Sequence, residues 1–215
     1  MMRKLGPDDY QRMPWKNGGG ETLQIAIGPA GATVDDFDWR VSAARVATAG
    51  PFSAFVGIDR SLAVLSGRGM TLVTGSGDAT RETLLDADSE AYSFAGELPA
   101  RAELIAGEAV VDFNVMTRRS RFRHGLRRLN VPDQTQVAAD VLVLYCIEGR
   151  IDCHDLEGGV PASLAASDAL VAQPRPSSGA PGEPRAAVVL RLDARGAEPA
   201  RLWVVQLFAV DRFDV

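Results

Sequence analysis

Eight short apolar runs, each bounded by Gly, Pro, Asp or Ser, constrain this chain more than anything else in it. They read TLQIAI, DWRVSAARV, SLAVLSG, GMTLVTG, AVVDFNVM, DVLVLYCIEG, AAVVLRL and LWVVQLFAV. Short runs rich in Val, Leu, Ile and Phe between turn-forming residues are strand signals. No longer stretch carries the apolar periodicity of a helix, so the chain is predicted to be all-β.

Some of these runs belong to a longer pattern. LAVLSGRGMTL holds a strand, a glycine turn at Gly67 to Gly69 and a return strand, and VLVLYCIEGRIDC repeats this around Gly149. Asp88 follows Gly69 by nineteen residues, and Asp168 follows Gly149 by nineteen. Such repetition predicts two duplicated β-units, residues 1–120 and 121–215, each closed as a small barrel that leaves no sheet edge exposed. The Pro/Gly/Ser-rich segment QPRPSSGAPGEPR, residues 173–185, is predicted to be a long surface loop of the second unit.

Composition narrows the function classes. With 46% hydrophobic and 24% charged residues in 215, the chain is globular and long enough to bury a core. No apolar stretch approaches the roughly 20 residues of a membrane helix. The opening MMRKLGPDDYQRM lacks the apolar core of a secretory signal, which predicts a cytoplasmic protein without membrane contact. Two cysteines, Cys146 and Cys153, make no disulfide framework and fit a reducing compartment. The net charge of -5 argues against nucleic acid. Against that balance, RRSRFRHGLRR packs six arginines and His124 into the eleven residues from Arg118 to Arg128. Lying between strand-rich halves, it reads as a solvated connection, with a surface for an anionic ligand or partner as the alternative.

The chemistry available is sparse. Only His124 and His154 are present, thirty residues apart, so no histidine pair has the spacing of a metal site on a strand or helix. Cys146, Cys153, His154 and Asp155 could form a thiolate site, but cysteines in apolar strands usually pack as small hydrophobes. No Gly-x-Ser-x-Gly elbow is present. Glu21 or Asp112 would serve as general base if the protein is an enzyme.

Strand parity favours binding. In DWRVSAARV, Arg40 and Ser42 share one face and Trp39, Val41 and Ala43 the other. In VDFNVMT, Asp112, Asn114 and Met116 share a face. Turned inward, these faces supply the few convergent polar groups of a small-ligand pocket; turned outward, they are solvated. The stretch PWKNGGGETLQIAI adds Trp15, Lys16 and Asn17 ahead of three glycines, and Lys16 is one of two lysines against 21 arginines. Gly18 to Gly20 either carry the backbone past a pocket mouth or form a bulge between core strands.

The segments PWKNGGGETLQIAI, FDWRVSAARVATAGPFSAFVGIDRSLAVLSGRGMTL and DFNVMTRR together resemble the HutD/Ves family of bacterial proteins. The resemblance implies a bicupin, two barrels of the RmlC-like jelly-roll type, often dimeric, without the usual cupin histidines. It places Trp15, Lys16, Asn17, Thr22, Trp39, Arg40, Ser42, Asp112 and Asn114 in the family's core and pocket region. It also implies a regulatory role in histidine utilisation. The expected protein is a homodimer, free of metal and cofactor. Its expected ligand is a small carboxylate such as urocanate or a formylated or formiminated glutamate, with Arg40 and Lys16 on its oxygens. One departure stands out: FAGE puts Glu97 where relatives often carry Asp.

Overall fold

The computed structural model describes residues 1–15, 20–131, 134–174, 187–196 and 199–210. Most of them lie in strands, as expected, and the helical residues are three short 3-10 turns. β1 (Met2–Leu5) opens the chain. It is followed by β2 (Gln11–Pro14), β3 (Gly20–Gly28), β4 (Trp39–Val46), β5 (Gly50–Pro51), β6 (Ile58–Ser66) and β7 (Met70–Thr74). Next come β8 (Arg81–Leu85), β9 (Tyr92–Ala95), β10 (Ala100–Leu104) and β11 (Val110–Arg118). The remainder is β12 (Phe122–Val131), β13 (Gln134–Ala139), β14 (Val141–Glu148), β15 (Arg150–Asp155), β16 (Ala162–Ala165), β17 (Ala169–Ala172), β18 (Val188–Ala194) and β19 (Ala200–Ala209). No helix among the described residues is long and apolar enough to cross a membrane.

The strand order repeats, with eight strands per copy. One sheet of the N-terminal unit contains the order β4-β11-β6-β9, and the C-terminal unit repeats it as β12-β19-β14-β17. The facing sheets run β5-β10-β7-β8 and β13-β18-β15-β16. Each unit is thus a two-sheet, cupin-like jelly roll. The turn glycines that suggested the repeat take left-handed φ values, 102° at Gly69 and 80° at Gly149, at equivalent β6–β7 and β14–β15 turns. The nineteen-residue offset does not mark equivalent places: Asp168 directly precedes β17, whereas Asp88 lies four residues ahead of β9.

Two features depart from the sequence reading. The compact units are Tyr10–Arg123 and, together, Met1–Asp9 with His124–Val215. The chain start joins the later unit because β1 pairs antiparallel with β17, and Lys4 Nζ holds Asp168 Oδ2 at 2.8 Å. The arginine run is not merely a connection either. Most of it is β12, paired beside β19 at a sheet edge. Of the predicted Pro/Gly/Ser-rich loop, 173–185, all but the first two residues lie outside the described residues.

Burial follows strand alternation. In β10, Ala100 and Ala102 are buried while Arg101 and Glu103 face out and pair at 2.7 Å. In the N-terminal unit, Val46, Leu62, Val64, Met70, Leu72, Leu85 and Val110 form one apolar cluster. The C-terminal unit has a larger one, in which Leu142, Leu144, Cys146, Leu202 and Val204 from one sheet meet Ile151, Leu190 and Leu192 from the other. Both cysteines sit in it, and burial raises their thiols, Cys146 to about 11 and Cys153 to about 12. His154 points away from it and bonds Asp193 Oδ2 at 3.1 Å, so the possible thiolate site is divided between two faces of β15.

Candidate functional site

Antiparallel register sets the inner face of the N-terminal unit in rows. On β4, β11 and β6, Arg40, Met116 and Arg60 lie opposite one another, and Phe94 on β9 continues that row. The next row is Gln24, Ser42, Asn114 and Leu62, with Gln24 on β3. The third is Thr22, Ala44, Asp112 and Val64. The β6/β11 ladder is bulged at Leu65, so that Val111 pairs with Ser66 and Asp112 with Val64. From these rows, Thr22 on β3 and residues of β4 and β11, with Arg60 on β6, line a cavity of about 660 Å³ that is bordered also by Pro14, Trp15, Phe52, Ser53 and Phe55. The size suits a small organic molecule.

Two guanidinium groups dominate the cavity. Arg40 Nε donates to Gln24 Oε1 at 2.8 Å. Arg60 is 4% exposed; its Nη1 donates to the Ser53 carbonyl at 3.1 Å, while its Nε has no partner among the described residues. Phe94, Phe52 and Phe55 surround it, their ring centres 5.1, 5.3 and 5.8 Å from Cζ, so cation–π attraction offsets part of its desolvation. Burial lowers the Arg60 pKa to about 10, with Asp112 opposing the fall and the charge of Arg40 adding to it. Burial also lowers that of Arg40. Both stay cationic at neutral pH.

Asp112 is the one acidic side chain lining the cavity among the described residues. Burial pushes its carboxyl up to about 7, against the pull of Arg60 and of a backbone hydrogen bond from Ala44. It forms no ion pair with either arginine. With two cations facing a carboxyl that is only partly ionised at pH 7, the cavity is electropositive.

The structure brings together Trp15, Thr22, Arg40, Ser42, Asp112 and Asn114, all on the cavity wall. Trp15 Nε1 donates to Thr22 Oγ1 at 2.9 Å, which holds the indole at the rim. Gly20 is required here, because a Cβ on it would lie 2.2 Å from the Arg45 carbonyl oxygen and 3.0 Å from the Trp15 ring. Trp39 is not part of the wall. Strand parity turns it to the other face of β4, where its indole packs over Gly28. Glu21 also points away and pairs with Arg12 at 3.1 Å. Lys16 and Asn17 lie outside the described residues.

Arg60 is a pocket residue that the sequence reading missed, as it missed Gln24, which is not on the wall but holds Arg40 through Nε. The parity applied to β4 and β11 finds Arg60 when carried to IDRSLAVLS, where it shares a face with Leu62 and Val64. Arg118 and Arg119, at the start of the arginine run, act as braces. Arg118 donates to the carbonyls of Phe37 and Asp35, and Arg119 holds Asp59 at 2.9 Å and both carboxylate oxygens of Glu97.

Comparison with known proteins places the chain in context. The HutD family model matches residues 7–189. A protein from Pseudomonas putida, of 21.2 kDa and encoded in the hutC 3′ region, is 34% identical over 70% of this chain and 76% of its own. Protein Ves from Cronobacter sakazakii is 42% identical over 68% of this chain and 78% of its own. A crystal structure of a conserved protein of unknown function from Pseudomonas aeruginosa PAO1 superposes with a TM-score of 0.81 at 33% identity, covering 97% of this chain and 99% of that one. At 8% identity, a vicilin from Capsicum annuum shares the fold with a TM-score of 0.61 over 94% of this chain and 85% of its own.

Proposed function

Since the chain belongs to the HutD family, we propose that it serves histidine utilisation as a binding protein whose N-terminal cavity takes up a small organic carboxylate. The observation that carries this reading is the pair of buried guanidinium groups, Arg40 and Arg60, on one cavity without an ion-paired carboxylate among the described residues. Two desolvated cations repel one another, and an anion between them would offset both the repulsion and the lost hydration. A guanidinium also offers paired donors that match a carboxylate. Asn114 and Ser42 would orient the ligand and Trp15 would flank it. The role is regulatory, without metal or cofactor, and urocanate and the formylated or formiminated glutamates are the acids to try first.

A second reading has its own support. A buried carboxyl titrating near neutral pH suits a general base, so Asp112 is the residue that would make this pocket an enzyme. Thermal unfolding of the chelator-treated protein with each acid tests the first reading, because a ligand that binds only the folded state raises the midpoint. A selective rise that disappears in Arg40→Ala and Arg60→Ala supports it. No rise at millimolar concentration of any acid overturns it. Conversion of the stabilising acid, lost in Asp112→Asn, would establish the enzyme instead.

A further inference from the structure

The cavity holds unmatched acceptors as well as cations. Oδ1 of Asp112 and Oδ1 of Asn114 are both buried and both lack a hydrogen-bond partner among the described residues. They come from one face of β11, two residues apart, and both side chains line the cavity. The Asn114 amide is oriented by its neighbour: Nδ2 donates to Met116 Sδ at 3.2 Å. A thioether accepts but cannot donate, so the amide oxygen is the end left over. Ionised or neutral, a buried carboxyl oxygen without a partner is costly, and so is a buried amide oxygen. Two such oxygens on one wall mark the place of a donor.

Resting on the acid-binding reading, we propose that the ligand is a bifunctional acid: its carboxylate meets Arg40 and Arg60, and an N–H group at its other end meets Asp112 and Asn114. The layout fits this division. The arginines flank Met116 in one row, Asn114 stands in the next row and Asp112 in the one beyond, so donors and acceptors occupy successive levels of the same wall. A ligand with a short spacer between its anionic oxygen and its N–H spans these levels. An acid of the same shape whose far end carries only an acceptor would face two oxygens and be disfavoured.

The test compares urocanate, whose imidazole bears N–H, with furylacrylate, whose ring oxygen only accepts, by calorimetric titration of the full chain. Urocanate is expected to bind about tenfold tighter or better. Asn114→Val, its folding checked by circular dichroism and its denaturant midpoint, should shrink the preference, whereas Asn114→Asp should keep it. Equal affinities for the two acids in the unmodified protein, with both lost in Arg60→Ala, would overturn this inference and leave the acid-binding reading intact. Binding of none of urocanate, furylacrylate and the formylated or formiminated glutamates would overturn both.

Discussion

The two units share one strand order and even one irregularity, yet only one of them has a polar interior. In the N-terminal unit the β6/β11 ladder passes over one residue, Leu65, so that Ser66 meets Val111 and Val64 meets Asp112. The β14/β19 ladder passes over Ile147 in the same way, so that Glu148 meets Arg201 and Cys146 meets Leu202. Counting on from these bulges, Leu202 stands for Asp112, Val204 for Asn114 and Leu142 for Arg60. All three are fully buried within the C-terminal apolar cluster. One backbone thus carries two interiors: a core filled with Leu and Val, and in its copy a cavity whose buried polar lining lowers stability.

The comparison breaks most visibly if the functional residues are moved to the wrong barrel. Leu202→Asp places a carboxylate in a packed apolar core with no cavity to receive it, and a loss of about 5 kcal/mol or more is expected. Equilibrium denaturation should show the C-terminal unit unfolded or barely stable. If Leu202→Asp were tolerated like a surface change, the assignment of equivalent positions would be wrong.

Asp112→Asn gives the next largest effect, and it depends on pH. The Asp112 carboxyl is raised by burial from an ordinary 3.8 to about 7 in the folded protein. Between those values the folded state holds a proton that the unfolded state has lost, so this residue makes stability fall as pH rises from about 4 to about 7, and the loss is complete above that. The full penalty is on the order of 4 kcal/mol. Asp112→Asn should therefore be more stable than the unmodified protein at pH 8 and closely similar at pH 4. Denaturant midpoints at the two pH values read the difference directly, and parallel curves would rule out a buried titrating group.

Arg60→Leu copies the other barrel at the floor of the pocket. Acid affinity should fall by about a hundredfold, the scale expected for a desolvated guanidinium contact. Folding should be preserved, because Leu is what the same backbone carries at Leu142. Retained affinity would move the anion site away from the Phe52, Phe55 and Phe94 cage.

What was legible in the sequence depended on period-two alternation. That rule places Arg40 beside Ser42 and Asp112 beside Asn114 without any coordinates, and all four line the cavity. The same rule excludes Trp39, whose large apolar ring nonetheless suggested a pocket wall. Arg60 was missed because an arginine at the start of a strand looks like a solvated end, although the same parity with Leu62 and Val64 turns it inward, where it stands opposite Met116. The pairing of β1 with β17 could not be read at all, because four residues at the chain start carry no signal for a partner far along the chain. Nor does spacing show that FAGE is a brace. Glu97 meets Arg119 through both oxygens, which explains a carboxylate there without giving it a pocket role.

The smallest effect concerns strands that the duplication does not contain. β2 and β3 extend the N-terminal sheet beyond β4, whereas in the C-terminal unit the equivalent edge ends at β12. Two pocket features depend on this extension: Gln24, which holds Arg40 Nε, and Thr22, which accepts the Trp15 indole N–H. Thr22→Val keeps the shape and removes the acceptor, so about 1 kcal/mol of stability should be lost, the usual worth of one partly buried neutral hydrogen bond. Thr22→Ser, which keeps the hydroxyl, should recover most of it. Indole fluorescence separates two origins for the loss. A red shift in Thr22→Val but not in Thr22→Ser would show Trp15 freed from the cavity rim, and acid affinity should weaken with it. An unchanged spectrum with an unchanged midpoint would mean that the indole is held by packing against Gly20 alone, and the polar wall of β3 would reduce to Gln24.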